Sequence, residues 1–264
     1  MKKRIFALVL ILALMLGLST TAGAYTNKQL RAAEALYHLD LFRGRTTAGK
    51  DFDLDGGLNR AEGTLMVIRL LGKETEAYTR DVANTPFPDV ADFWGGKCQF
   101  IAYAYETGLM KGVTTTVKGV TTLTFEPRAP MSDRMFLTLI LRVLGYQDGA
   151  DNYIWKNAWT LAYEAGLVDS AEKDDNFTRG DAVQVAWKAM GAKLQDSGKT
   201  LAQKLMGEGL FSSEEYAEAK EIWSYGYILP DDSGSDTPSA PDTPDTPSTP
   251  SNPNWFEGSP GEDD

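Results

Sequence analysis

Apolar and polar residues alternate along much of this chain with helical spacing, and one fifteen-residue version of the pattern occurs three times without a gap. The copies read LNRAEGTLMVIRLLG from Leu58, MSDRMFLTLILRVLG from Met131 and FTRGDAVQVAWKAMG from Phe177. Each opens on an apolar residue followed by a helix-capping one (Asn59, Ser132, Thr178). A base stands twelfth (Arg69, Arg142, Lys188) and a glycine last (Gly72, Gly145, Gly191). Asn59 with Glu62, and Thr178 with Asp181, have the spacing of a capping box, whereas Met135 leaves only the Ser132 half in the second copy. The three glycines predict left-handed C-caps, and the bases complement the negative end of each helix dipole.

A second helical segment precedes each copy: LRAAEALYHLDLFRG, QFIAYAYETGLMKG and AWTLAYEAGLVDS. Aligning Tyr37, Tyr105 and Tyr163 brings Leu41, Leu109 and Leu167 into register, with Gly44 and Gly112 expected to close the first two. The unit is helix, loop, helix, three times over, with loops of unequal length, as repeats allow. The predicted fold class is all-α. Leu201 to Tyr225, with a cap pattern from Ser212 to Glu215, is expected to pack on the end of the array. The divisions are repeat 1 over 25–80, repeat 2 over 81–149, repeat 3 over 150–196 and a helical cap over 197–229.

Both ends are of another character. Lys2, Lys3 and Arg4 precede an apolar run from Ile5 to Leu18 and small residues through Ala24, which reads as a secretory signal peptide over 1–24. The run is too short to span a membrane comfortably and no second one follows, so no transmembrane helix is expected in the mature chain. Residues 230–264 carry PSAPDTPDTPSTPSNP, which predicts a disordered, semi-stiff acidic tail. Trp255 and Phe256 near its end are either a stray aromatic pair or a docking motif for an envelope protein partner.

Loss of the leader takes the net charge from −11 to −14, and nine acids with no base lie after Ile228, leaving −5 on the folded part. Such a balance excludes nucleic acid as a partner, since nothing would neutralise phosphates. The single cysteine, Cys98, cannot form an intramolecular disulfide and reads as a buried small hydrophobe, so the fold depends on its core.

The second unit opens FPDVADFW, continues IAYAYETGLMKG, passes TFEP and enters its capped helix. Asn59-Arg60-Ala61-Glu62 and Thr178-Arg179-Gly180-Asp181 match a T-R-A-E helix opening. With three copies, a leader and a Pro/Thr tail, the chain resembles the S-layer homology (SLH) domain proteins over roughly residues 30 to 195. That resemblance implies three SLH modules in a pseudo-threefold helical assembly, secreted and held non-covalently at the cell wall. The implied ligand is an acidic, often pyruvylated, secondary cell-wall polysaccharide.

Arg60 and Arg179, just inside helix N-termini, are the expected ligand contacts, offering a guanidinium fork beside free backbone N–H groups. The alternative is that they cover the core or pair with nearby acids. Asn59 and Thr178, which cap the same helices, are counted among the ligand-binding candidates with them. In the second copy Asp133 replaces the arginine, with Arg134 one residue late, so that groove is expected to be weak or silent. Asp89, Trp94 and Lys111 are further candidates in family terms. Trp94 is either a sugar platform or a core residue, and Trp155 or Trp159 stands for it loosely in the third unit.

Asp51, Asp53, Asp55 and Glu62, with Gly56, also match the EF-hand loop at positions 1, 3, 5, 12 and 6, so Ca²⁺ is a candidate cofactor. Against it, the entering helix ends near Gly44 and Glu62 already has a capping role. Catalysis is not expected: His38 is the only histidine, and the recognisable sequence is spent on the repeats. The competing reading is a calcium-dependent or protein-directed surface scaffold.

Overall fold

The computed structural model describes residues 25–45, 51–81, 85–96, 98–149 and 153–225. The leader expected over 1–24 and the tail over 230–264 lie outside them. The described chain is mostly helical: α1 Asn27–His38, α2 Arg60–Leu70, a short α3 Glu74–Ala77, α4 Gln99–Glu106, α5 Asp133–Val143, α6 Tyr153–Glu164, α7 Arg179–Gly191, α8 Leu201–Gly207 and α9 Ser213–Tyr225. None of these helices is long and apolar enough to cross a membrane.

Local chemistry sets the helix starts where the pattern placed them. Asn59 and Thr178 complete capping boxes with Glu62 and Asp181, and Ser132 caps Met135 alone. Thr26 and Thr200 form two further boxes, with Gln29 and Gln203. Ser212 and Glu215 exchange reciprocal bonds before α9.

The helix ends require corrections. The first helices do not run to Gly44 and Gly112. They stop earlier, at aligned residues in the left-handed region: Asp40 (φ 55°), Gly108 (72°) and Gly166 (73°). There the aligned leucines return to the core, with Leu41, Met110 and Leu167 N–H groups each donating back to the last turn. Gly72 and Gly145 are left-handed C-caps as expected, but Gly191 is not: α7 runs through it and stops at extended Ala192.

Residues 113–124 depart from the all-α expectation. Val113–Val117 and Val120–Thr124 form an antiparallel hairpin, β1–β2, turning at Lys118 and Gly119, both at positive φ. The β-branched valines and threonines favour extended backbone, and two left-handed central residues match the strand twist.

The repeated helices α2, α5 and α7 pack against one another in all three pairings. Each first helix packs not on its own second helix but on that of the preceding unit: α4 on α2, α6 on α5, and α1 on α7. The last contact joins the beginning of the array to its end, and α9 packs on α1 beside it. One apolar core results, including Leu36, Ile68, Phe100, Phe125, Phe136 and Ile140, all 2 % exposed or less. Each such side chain contributes about 1.5–3 kcal/mol. Cys98 is buried among them, its thiol donating to Val90 O and pushed up to about 11 by burial.

Candidate functional site

The third position of each repeat faces the next unit, not solvent. Arg60 Nε donates to Phe125 O at 2.7 Å, and the Arg60 and Ala61 N–H groups donate to Ala129 O and Pro127 O. Arg179 repeats the arrangement one unit on: Nε to Phe52 O at 2.9 Å, with the Arg179 and Gly180 N–H groups on Gly56 O and Leu54 O. The receiving loops, Phe52–Gly56 and Phe125–Ala129, therefore show the same three carbonyls at alternate residues. Asp53 (φ 46°) and Glu126 (57°) hold matching left-handed positions within them. Asp89 fastens the second loop, accepting from Phe125 N at 2.9 Å and Glu126 N at 2.7 Å.

This corrects the expectation of free N–H groups beside Arg60 and Arg179. Those groups are taken by neighbouring loops, and the side chains are 4 % and 1 % exposed. Arg60 lies over the Phe125 ring, Arg179 over that of Phe42, and Arg179 Nη2 donates to Arg43 O. Among the described residues neither is ion-paired; Asp53, Glu62, Glu74 and Asp148 go to Arg45, Arg69 and Arg142. Burial lowers the affinity of both guanidiniums for their proton. Glu126 and Asp89 partly offset this at Arg60, while Arg45 adds to it at Arg179, which is pushed down to about 10.

In the second copy the contact is inverted rather than lost. Asp133, 3 % exposed, accepts from Trp159 Nε1 and Asp174 N, both at 2.7 Å, and from Arg134 N. The third unit's loop has Ala171 where the other two have phenylalanine, and it presents a backbone donor in place of carbonyls. Arg134 lies 4.0 Å from the Trp159 ring centroid and 5.3 Å from that of Trp155.

Two clefts open at equivalent places. That between the first and second units, about 420 Å³, is lined by Arg60, Lys111, Thr114, Arg142, Asp148 and Trp155 among others. Lys111 Nζ is 2.7 Å from Asp148 and its side chain is 57 % exposed. Arg142 places Nε and Nη2 3.0 Å from the same Asp148 oxygen and gives Nη1 to Leu109 O. Burial alone would raise the Asp148 carboxyl, but Lys111 and Arg142 together hold it below the usual range. The cleft between the second and third units, about 260 Å³, contains Asp133, Trp159, Asp169, Asp174, Asp181 and Lys188. Position by position, Arg60 becomes Asp133, Lys111 becomes Asp169 and Met135 becomes Asp181, with Lys188 the only base.

Of the residues singled out in the sequence, the structure brings Arg60 and Lys111 into one cleft. Arg179 serves the surface between the third and first units, where Glu74 lies between Arg43 (3.2 Å) and Arg69 (2.7 Å). Asn59 and Thr178 spend their side chains on capping. Trp94 stacks on Phe93, with centroids 4.8 Å apart, and lies against Phe100, so its face is used in packing. Asp53 and Glu62 both pair with Arg45. No cluster of three or more His, Cys, Asp or Glu suited to a metal occurs among the described residues. Arg142 and Asp148 were not anticipated. The base at position twelve reads as helix punctuation, and its partner six residues later carries no motif.

No protein-family model matches the chain, and no curated protein matches it.

Proposed function

We propose that this chain is an exported, non-catalytic anchor built of three SLH modules in a pseudo-threefold array, holding itself to the cell wall through an acidic secondary polysaccharide. The helix order supports this, because each unit completes its neighbour and the last packs against the first. The observation that carries it is the cleft between the first two units. Arg60 supplies a buried positive charge that no carboxylate pairs directly among the described residues, and Lys111 supplies an exposed ammonium at its mouth. A buried cation lacking a partner is costly unless an anion can approach it. A saccharide carboxylate, such as a pyruvate ketal, has the charge and size to do so, with the partly exposed Trp155 as an apolar wall.

Sedimentation of the mature protein with purified sacculi, before and after chemical removal of the polysaccharide, tests the reading. Retention on native walls and loss on stripped ones is expected. Undiminished retention on stripped walls would overturn it. A chelator arm addresses calcium: binding abolished by chelation points to the scaffold reading instead.

A further inference from the structure

The cationic cleft already contains a carboxylate. Asp148, on the segment after α5, places one oxygen 2.7 Å from Lys111 Nζ and 3.0 Å from both Nε and Nη2 of Arg142, so three donor nitrogens from two cations converge on a single atom. Arg142 commits three of its five N–H groups to Asp148 and Leu109 O, and its side chain is 15 % exposed. Lys111 is the more accessible cation: it gives one N–H to Asp148, keeps two, and is 57 % exposed.

The same device recurs one unit round. Arg43 and Lys111 each stand two residues after an aligned leucine, and Arg69 and Arg142 share position twelve. Glu74 joins the first pair as Asp148 joins the second. Between the second and third units the acid stands at the Lys111 position itself, as Asp169 on Lys188 at 2.7 Å.

We propose that Asp148 sets the charge selectivity of the cleft by acting as an internal competitor for Lys111. This inference rests on the polysaccharide reading above. A ligand carboxylate reaching Lys111 meets a like charge already held at the ammonium. Binding is therefore an exchange of one carboxylate for another, and weakly acidic or neutral sugars gain nothing from the site. The cation most accessible to the ligand is Lys111, with Arg60 and Arg142 behind it.

The test is calorimetric titration of the full mature chain with two probes: a methyl glycoside carrying a 4,6-linked pyruvate ketal, and its ethylidene twin lacking the carboxylate. Asp148→Asn should bind the ketal roughly three- to tenfold tighter than the parent, the scale of a partly screened charge contact, and the twin no differently. Asp148→Glu should behave as the parent, and the gain should vanish in a Lys111→Ala background. Should Asp148→Asn lose its cooperative melt, Asp148→Ser, which also removes the charge, carries the same expectation. Equal or weaker ketal binding by Asp148→Asn, with the parent still binding, overturns the role of Asp148 and leaves the polysaccharide reading standing. Failure of parent and variant alike to bind the ketal overturns both.

Discussion

The two clefts between successive units have the same helices at the same positions and opposite charge. One presents Arg60, Lys111 and Arg142 against Asp148; the other presents Asp133, Asp169, Asp174 and Asp181 against Lys188. The difference begins in a loop. Where a unit offers carbonyls at alternate residues, as at Phe52 and Phe125, its neighbour reaches in with an arginine. Where the loop offers a backbone N–H, as at Asp174, an aspartate takes the arginine's place. The third position of each repeat is thus chosen first for joining units. The charge it leaves in the adjoining cleft follows from that choice.

The largest effect should come from forcing the second cleft to imitate the first. Asp133→Arg would bury a guanidinium against the Trp159 and Asp174 N–H donors, which have no lone pair to offer. An uncompensated buried charge costs about 3–5 kcal/mol, to be read as a drop in denaturation midpoint. A loss below about 1 kcal/mol would show that the loop tolerates either sign and would break the comparison. Arg179→Ala comes next. It strands Phe52 O and Arg43 O and removes the packing on Phe42, for about 2–4 kcal/mol. Arg60→Ala strands one carbonyl, Phe125 O, and should cost less, about 1–3 kcal/mol. Equal losses would mean that the two clamps are not graded by their carbonyls.

That grading marks the limit of what the sequence discloses. Helix starts were legible because caps act within three residues: Asn59 with Glu62 and Thr178 with Asp181 are complete local units. The partners of Arg60 and Arg179 lie 65 and 127 residues away, so no window along the chain contains them. The N–H groups beside each arginine therefore read as free when a loop from another unit takes them. The hairpin was legible in principle, since the β-branched runs VTTTV and VTTLT flank Lys-Gly, but neither run carries the two-residue apolar period of a strand and both lie inside a helical repeat. Asp40 was missed as a helix end because glycine occupies that position in the other two units, at Gly108 and Gly166.

A smaller effect separates structure from recognition within the first cleft. Lys111 is on the exposed rim, so Lys111→Ala should change stability by less than about 0.5 kcal/mol. Retention on native walls should nevertheless fall about fivefold or more, with a weaker dependence on salt. The equivalent change in the acidic cleft, Asp169→Ala, removes a carboxylate from Lys188 at 2.7 Å and should leave wall retention unaltered. If both variants lose retention equally, the clefts do not differ in function and charge inversion has no bearing on the ligand.

The most local effect concerns the hairpin, whose base contributes Val113 and Thr114 to the cationic cleft and which the third unit does not share. Gly119 sits at φ 77° in the turn, with open space around the position a Cβ would take, so only backbone strain opposes a side chain there. Gly119→Ala should therefore cost about 1 kcal/mol locally. Because β1 and β2 pair with each other, that loss should stay within the hairpin. Hydrogen exchange of the Thr114–Leu123 pair would accelerate while α2, α5 and α7 exchange as before. Acceleration spreading into those helices would show that the hairpin braces the cleft instead of merely flanking it. The comparison would then have to include the hairpin as a third difference between the two sites.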